Sequence, residues 1–157
     1  MDKMTRVSRR ALIAQAVAGA LGLIAVPRLL RAAVRKTPLL VYKDPGCGCC
    51  EKWVEYMGKA GFEVAVRNTS DMDAIKRRYG VAPAIASCHT ALAEGYVIEG
   101  HVPADLVLKL LKDKPRLAGL AVPGMVTGSP GMEGPNPRGY DVVAFDKTGK
   151  TTRYARR

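Results

Sequence analysis

The stretch KDPGCGCCEKW, residues 43–53, sets Cys47, Cys49 and Cys50 within four positions, three of the chain's four cysteines. The thiolate is the form of cysteine that attacks disulfides and binds metals. It is favoured where unpaired backbone N–H groups open a helix. Cys47 and Cys50 have the C-x-x-C spacing of a reversible disulfide, and Gly48 lets the turn run tight. Exchange between two thiols needs no third, and Cys49 would offer a competing partner. Three thiolates of short reach are better suited to a soft cation.

Further soft donors lie downstream. Cys88 is followed directly by His89, and the other histidine, His101, ends a predicted strand. Met125 and Met132 recur in matching context, VPGMVTG and SPGMEG. A thioether between proline and glycine in a polar stretch is poor core filler and a good Cu(I) donor. Thiolate, thioether and imidazole together favour copper over zinc, whose sites rarely use methionine. Met57 and Met72 fall on helical faces and read as packing. The plainer alternatives are two structural disulfides, the common use of four cysteines in an exported chain, or a structural zinc site. A bridge within the cluster would close a very short loop and restrain the unfolded chain little.

The elements that must position these groups follow from periodicity. PLLVYKD (38–44) reads as a buried strand feeding the cysteine motif. From Cys50 to Ala60 a helix places Trp53, Val54, Met57 and Ala60 on one face, and Gly61 ends it. FEVAVRN (62–68) alternates as a second strand. A capping-box-like Ser70…Asp73 opens a helix that stops at Gly80. After Pro83, two strands joined by a Glu94-Gly95 turn and ending near Gly100 compete with a short alanine-rich helix over 84–93. Pro103 is expected as the first residue of a third helix burying Leu106, Val107, Leu110 and Leu111. Residues 119–139 read as loop, and residues 140–155 as a hairpin turning at Gly149. This order, with cysteines between the first strand and its helix, predicts an α/β fold: a thioredoxin-like central sheet flanked by helices, with a C-terminal loop and β-hairpin extension.

Composition narrows the function. The net charge is +11, but residues 1–36 carry +7 of it and the remainder +4, with no aromatic-basic stripe for stacking bases. No nucleic-acid partner is expected. The start of the chain has Arg6, Arg9 and Arg10 before an apolar run from Ala11 to Val26, the length of a signal peptide. Ser8-Arg9-Arg10-Ala11-Leu12 resembles a twin-arginine export signal. A general secretory signal or an uncleaved amphipathic anchor are the alternatives. The expected division is an export signal at 1–33 and a thioredoxin-like metal-binding domain at 34–157, with membrane contact only transient, through the leader.

Five segments, YKDPGCGCCEKWVEYM, SCHTA, GYVIEGHVPAD, GLAVPGM and GSPGME, in this order, closely resemble the CopG-like family of exported copper-handling proteins. The likeness spans about residues 38–146. It implies a thioredoxin-like fold, copper as the bound metal, and a periplasmic role in copper resistance or homeostasis beside other copper-handling or redox proteins. The ligand set it implies is Cys47, Cys49, Cys50 and Cys88, joined by His89, His101, Met125 and Met132. Two positions depart from the family pattern. Ala82 intervenes between Val81 and Pro83, which puts the local backbone near Cys88 and any thioredoxin-type cis-proline at Pro83 in question. Val126 stands where the pattern has proline.

The expected function is Cu(I) binding by the C-x-C-C cluster and its neighbours, with copper redox chemistry as a further step. No substrate pocket is legible, so enzyme status stays open. The competing function is a metal-free thiol–disulfide oxidoreductase using Cys47 and Cys50.

Overall fold

The computed structural model describes residues 36–157, so the export signal expected at 1–33 lies outside the described residues. Strand β1 (Thr37–Lys43) leads through an Asp44-Pro45-Gly46 turn into helix α1 (Gly48–Lys59). The turn is an Asx turn: the Asp44 carboxylate accepts the Gly46 N–H at 2.8 Å, and its carbonyl accepts that of Cys47 at 3.1 Å. The helix begins earlier than apolar periodicity alone places it, because Cys47 is its N-cap and Gly48, Cys49 and Cys50 form its first turn.

Strand β2 (Phe62–Asn68) returns parallel to β1, and helix α2 (Met72–Arg78) follows. Its cap is Asp71, whose side chain accepts the Ala74 N–H at 2.9 Å, rather than Ser70. The carboxylate one residue later reaches an N3 amide, the usual N-cap geometry. A single 3-10 turn at Pro83–Ile85 leads to strands β3 (His89–Ala93) and β4 (Tyr96–Glu99). The strand reading of this segment therefore holds over the alanine-rich helix. No peptide bond among the described residues is cis. Pro83 opens the 3-10 turn, and the preceding Ala82 caps it.

Helix α3 (Ala104–Asp113) buries the expected face, with Pro103 as its cap rather than its first residue. The expected loop at 119–139 contains a strand, β5 (Gly119–Ala121). Three residues in a Gly/Pro-rich stretch give no period to read. What fixes them is tertiary: a side chain at Gly119 would collide with the Val97 carbonyl and the Phe145 ring. Strands β6 (Asp141–Phe145) and β7 (Thr151–Arg156) close the chain as the expected hairpin, with Gly149 at φ 85° in its turn.

The seven strands form one sheet in the order β2-β1-β3-β4-β5-β6-β7. A parallel β1–β2 pair, antiparallel β1–β3 and β3–β4 pairs, and a following helix are the thioredoxin-like arrangement. The two sheet faces carry separate cores. Trp53, Met57, Leu39, Val41, Ile98, Leu110 and Val142 pack on the face covered by α1 and α3. Val81, Ile85, Val97, Ala121 and Phe145 pack on the opposite face, where α2 and the 3-10 turn lie. Alternation in β4 and β6 sends successive side chains to opposite cores, and so these strands are almost continuously buried. Among the described residues, no helix is long and apolar enough to cross a membrane.

Candidate metal centre

The α1 N-terminus faces the beginning of β3 and the end of β4. Cys49 Sγ lies 3.5 Å from Cys47 Sγ and 4.0 Å from Cys88 Sγ. Cys88 Sγ in turn lies 3.0 Å from His101 Nε2 and 3.5 Å from His89 Nδ1. The donors fall into two overlapping groups that could each hold an ion, Cys47/Cys49/Cys50/Cys88 and Cys88/His89/His101. Cys88 belongs to both.

Cys47 and Cys50 are joined as a disulfide, while Cys49 and Cys88 are free thiols. The four sulfurs therefore stand together with only two of them able to become thiolates. Cys50 is fully buried, and Cys47, Cys49 and Cys88 are half-buried. Burial, with Cys49 as a second cause, pushes the Cys88 thiol up to about 12. In the absence of a cation Cys88 is a protonated thiol, and binding a metal there displaces that proton.

The imidazoles are held as ligands usually are. His101 Nδ1 is 2.7 Å from the Pro130 carbonyl oxygen, an acceptor only, so Nδ1 carries the proton and the Nε2 lone pair points at Cys88. A ligating histidine that gives its second N–H to a carbonyl is the common outer-shell arrangement. Burial lowers the pKa of His101, which keeps the ring neutral and its lone pair available. His89 is fully buried, and burial followed by the nearby His101 lowers its pKa well below the ordinary value. Its ring packs 4.4 Å from that of Trp53 and 4.9 Å from that of His101. His89 Nε2 is buried without a hydrogen-bond partner, the only such side-chain nitrogen or oxygen among the described residues. The nitrogen beside the Cys88 thiol is the ring's other one, Nδ1, and that is the atom placed to meet a cation shared with Cys88.

The methionines sit on the loop between β5 and β6. It docks on the site at three points. Gly124 is bound to Ala86 and Ser87, Pro130 to His101, and the Gly131 backbone lies so close to Cys49 and Trp53 that an added Cβ would sit 3.0 Å from the Cys49 carbonyl. Gly131 has φ 82°, so glycine serves both the turn and the approach. Met132, next in the chain, is half-buried, whereas Met125 is 61% exposed. The structure thus brings Cys47, Cys49, Cys50 and Cys88 within ligand reach of one another, does the same for Cys88, His89 and His101, and carries the two methionines on the bordering loop. Val126 turns inward against the core, and its carbonyl accepts the Ser129 N–H and hydroxyl.

Sequence reading did not find the Pro130 carbonyl, the Gly131 contact or the role of Trp53 against His89. A proline-glycine pair directly before Met132 was the available sign of the first two.

Taken together, a thioredoxin-like α/β sheet with a Cys/His cluster at the α1 N-terminus defines a metal-site variant of a thiol-redox fold. A family described as "Protein of unknown function, DUF411" matches residues 85–132. No curated protein matches. Two solved structures titled as copper resistance protein CopG, in forms 2 and 1, are each 40% identical to this chain and cover 78% of it. The matches take in 99% and 98% of those chains, with TM-scores of 0.75 and 0.74. The chain belongs to the family of copper resistance protein CopG.

Proposed function

We propose that this protein binds copper as Cu(I) at the α1 N-terminus and serves copper resistance or homeostasis after export to the periplasm. The observation that carries the reading is the convergence of Cys49, Cys88 and His101, with the imidazole lone pair aimed at the Cys88 sulfur. Softness selects the metal: thiolates prefer Cu(I), and neutral imidazole tolerates both copper oxidation states. The likeness to copper resistance protein CopG and the four-cysteine group support copper as cargo. The arginine pair at 9 and 10 and the apolar run after it support export.

Each protein group has a part. Cys49 and Cys88 supply sulfur as soon as they lose their protons. Cys47 and Cys50 supply it after their disulfide takes up two electrons and two protons from an external dithiol. His101 and His89 supply neutral nitrogen, with Pro130 fixing the first ring. The disulfide thus sets capacity. In an anaerobic Cu(I) titration, protein reduced beforehand should retain at least about one more copper ion per chain than protein with the disulfide closed. Equal stoichiometry in the two states would leave Cys47 and Cys50 out of the site. Replacing both Met125 and Met132 with leucine should weaken Cu(I) retention, as read by chelator competition, and leave the thiol count unaltered. Equal affinity would assign both methionines to packing.

The closed Cys47–Cys50 bridge, with the second cysteine buried and the first half-buried, favours one other reading, a thiol–disulfide oxidoreductase. Reduced protein that retains less than about one copper per chain under anaerobic conditions would favour it.

A further inference from the structure

Beside the site lies a buried charged pair that belongs to neither donor group. Glu99, the last residue of β4, is fully buried, and its Oε1 is 2.5 Å from the Nζ of Lys76 on α2. The same oxygen accepts the Ser87 N–H at 2.6 Å, and Oε2 accepts the Thr90 hydroxyl at 2.7 Å. Lys76 Nζ also reaches the Thr90 hydroxyl oxygen at 3.3 Å.

The positions of these partners matter more than their number. Ser87 directly precedes Cys88, Thr90 directly follows His89, and Glu99 itself is two residues before His101. One carboxylate therefore ties the two strand ends that bring Cys88, His89 and His101 together. The backbone repeats the tie, since the Gly100 N–H donates to the His89 carbonyl at 2.9 Å and a Cβ on Gly100 would collide with Ser87. A buried ion pair contributes little to net stability, and replacing one with apolar groups of similar volume is often neutral or stabilising. Stability does not explain why a carboxylate and an ammonium are buried here. Geometry does: the Ser87 amide needs an acceptor at a fixed point, and an apolar side chain offers none.

We propose that Glu99, balanced by Lys76, is a positioning residue that sets the spacing between Cys88 and His101 through the Ser87 N–H and Thr90. This rests on the copper-binding reading. Its chemistry is that of an outer-shell group, whose removal typically lowers metal affinity about 10–100-fold.

The test compares full-length, reduced protein carrying Lys76→Met with Glu99→Leu against Lys76→Met with Glu99→Gln. The leucine pair removes the acceptor; the glutamine pair keeps a carbonyl oxygen at the same reach. Cu(I) affinity by chelator competition should fall about 10–100-fold in the leucine pair and recover to within a few-fold of wild type in the glutamine pair. A second readout needs no metal. With the Cys47–Cys50 disulfide closed, peptide mapping after timed alkylation should show Cys88 modified at least about tenfold faster in the leucine pair, as its segment loosens. If the leucine pair fails to fold, Glu99→Asp takes its place. The shortened carboxylate cannot hold Lys76 and Ser87 together, and about a tenfold loss is expected. Wild-type affinity and wild-type Cys88 reactivity in the folded leucine pair, or in Glu99→Asp, would overturn the proposal. Wild-type protein that binds no Cu(I) in the same titration would instead overturn the copper reading, and the alkylation rates would still decide the role of Glu99.

Discussion

Replacing Cys88 with serine is expected to lower Cu(I) affinity by at least about a hundredfold, more than any other single thiol replacement. Its sulfur is 4.0 Å from Cys49 Sγ and 3.0 Å from His101 Nε2, so it is the donor common to the sulfur group and the imidazole group. Serine keeps the shape, but its hydroxyl is a hard donor that does not ionise near neutral pH, and soft Cu(I) gains little from it. The fold should tolerate the change, because Cys88 is outside the disulfide and half-buried. Replacing Cys47 or Cys50 removes a donor from one group only. Chelator competition on reduced protein, with near-UV circular dichroism to check folding, reads the difference. A Cys88→Ser protein that holds copper as wild type does would remove this residue from the centre.

Trp53→Ala is expected to destabilise the domain by about 3–5 kcal/mol, the range for truncating a large buried aromatic side chain. Trp53 is fully buried in the main core, its indole N–H donates to the Val102 carbonyl at 3.0 Å, and its ring packs against His89. The truncation leaves a cavity, a carbonyl without its donor and an imidazole without a wall. Two losses should appear together: a thermal midpoint lower by roughly 10 °C or more, and weaker copper retention in the protein that stays folded. A midpoint within about two degrees of wild type would mean that the site collapses onto the space.

The sheet plan was legible because its signals are local. The apolar spacing of Trp53 and Met57, the face from Leu106 to Leu111, and Gly149 between two alternating runs each fix an element without help from elsewhere. Strand β5 was hidden because its three residues are held by the missing side chain at Gly119, a fact about Val97 and Phe145 rather than about neighbours in sequence. The capping of α2 turned on which of two adjacent polar residues, Ser70 or Asp71, reaches Ala74.

The site divided in the same way. The crowding of Cys47, Cys49 and Cys50 is a sequence fact, and so is the adjacency of Cys88 and His89. That Cys88 reaches the α1 N-terminus follows only from the antiparallel pairing of β1 with β3, which sets His89 opposite Lys43 at the mouth of the cysteine turn. Which cysteines pair was equally out of reach, since C-x-x-C spacing permits the Cys47–Cys50 bridge without requiring it. Glu99 carried a faint signal. A carboxylate that ends the apolar run YVIEG, in a strand covered on both faces, must find a buried partner. The sequence did not point to Lys76, 23 residues earlier on α2.

A crystal structure of the reduced protein loaded with Cu(I) without oxygen, with anomalous scattering collected at the copper edge, tests the account most directly. The account predicts copper bonded to the Cys88 sulfur, shared with at least one of Cys47, Cys49 and Cys50 and with His101 Nε2. Copper found away from Cys88, or a Cys47–Cys50 disulfide re-formed beside an empty cluster, would contradict it.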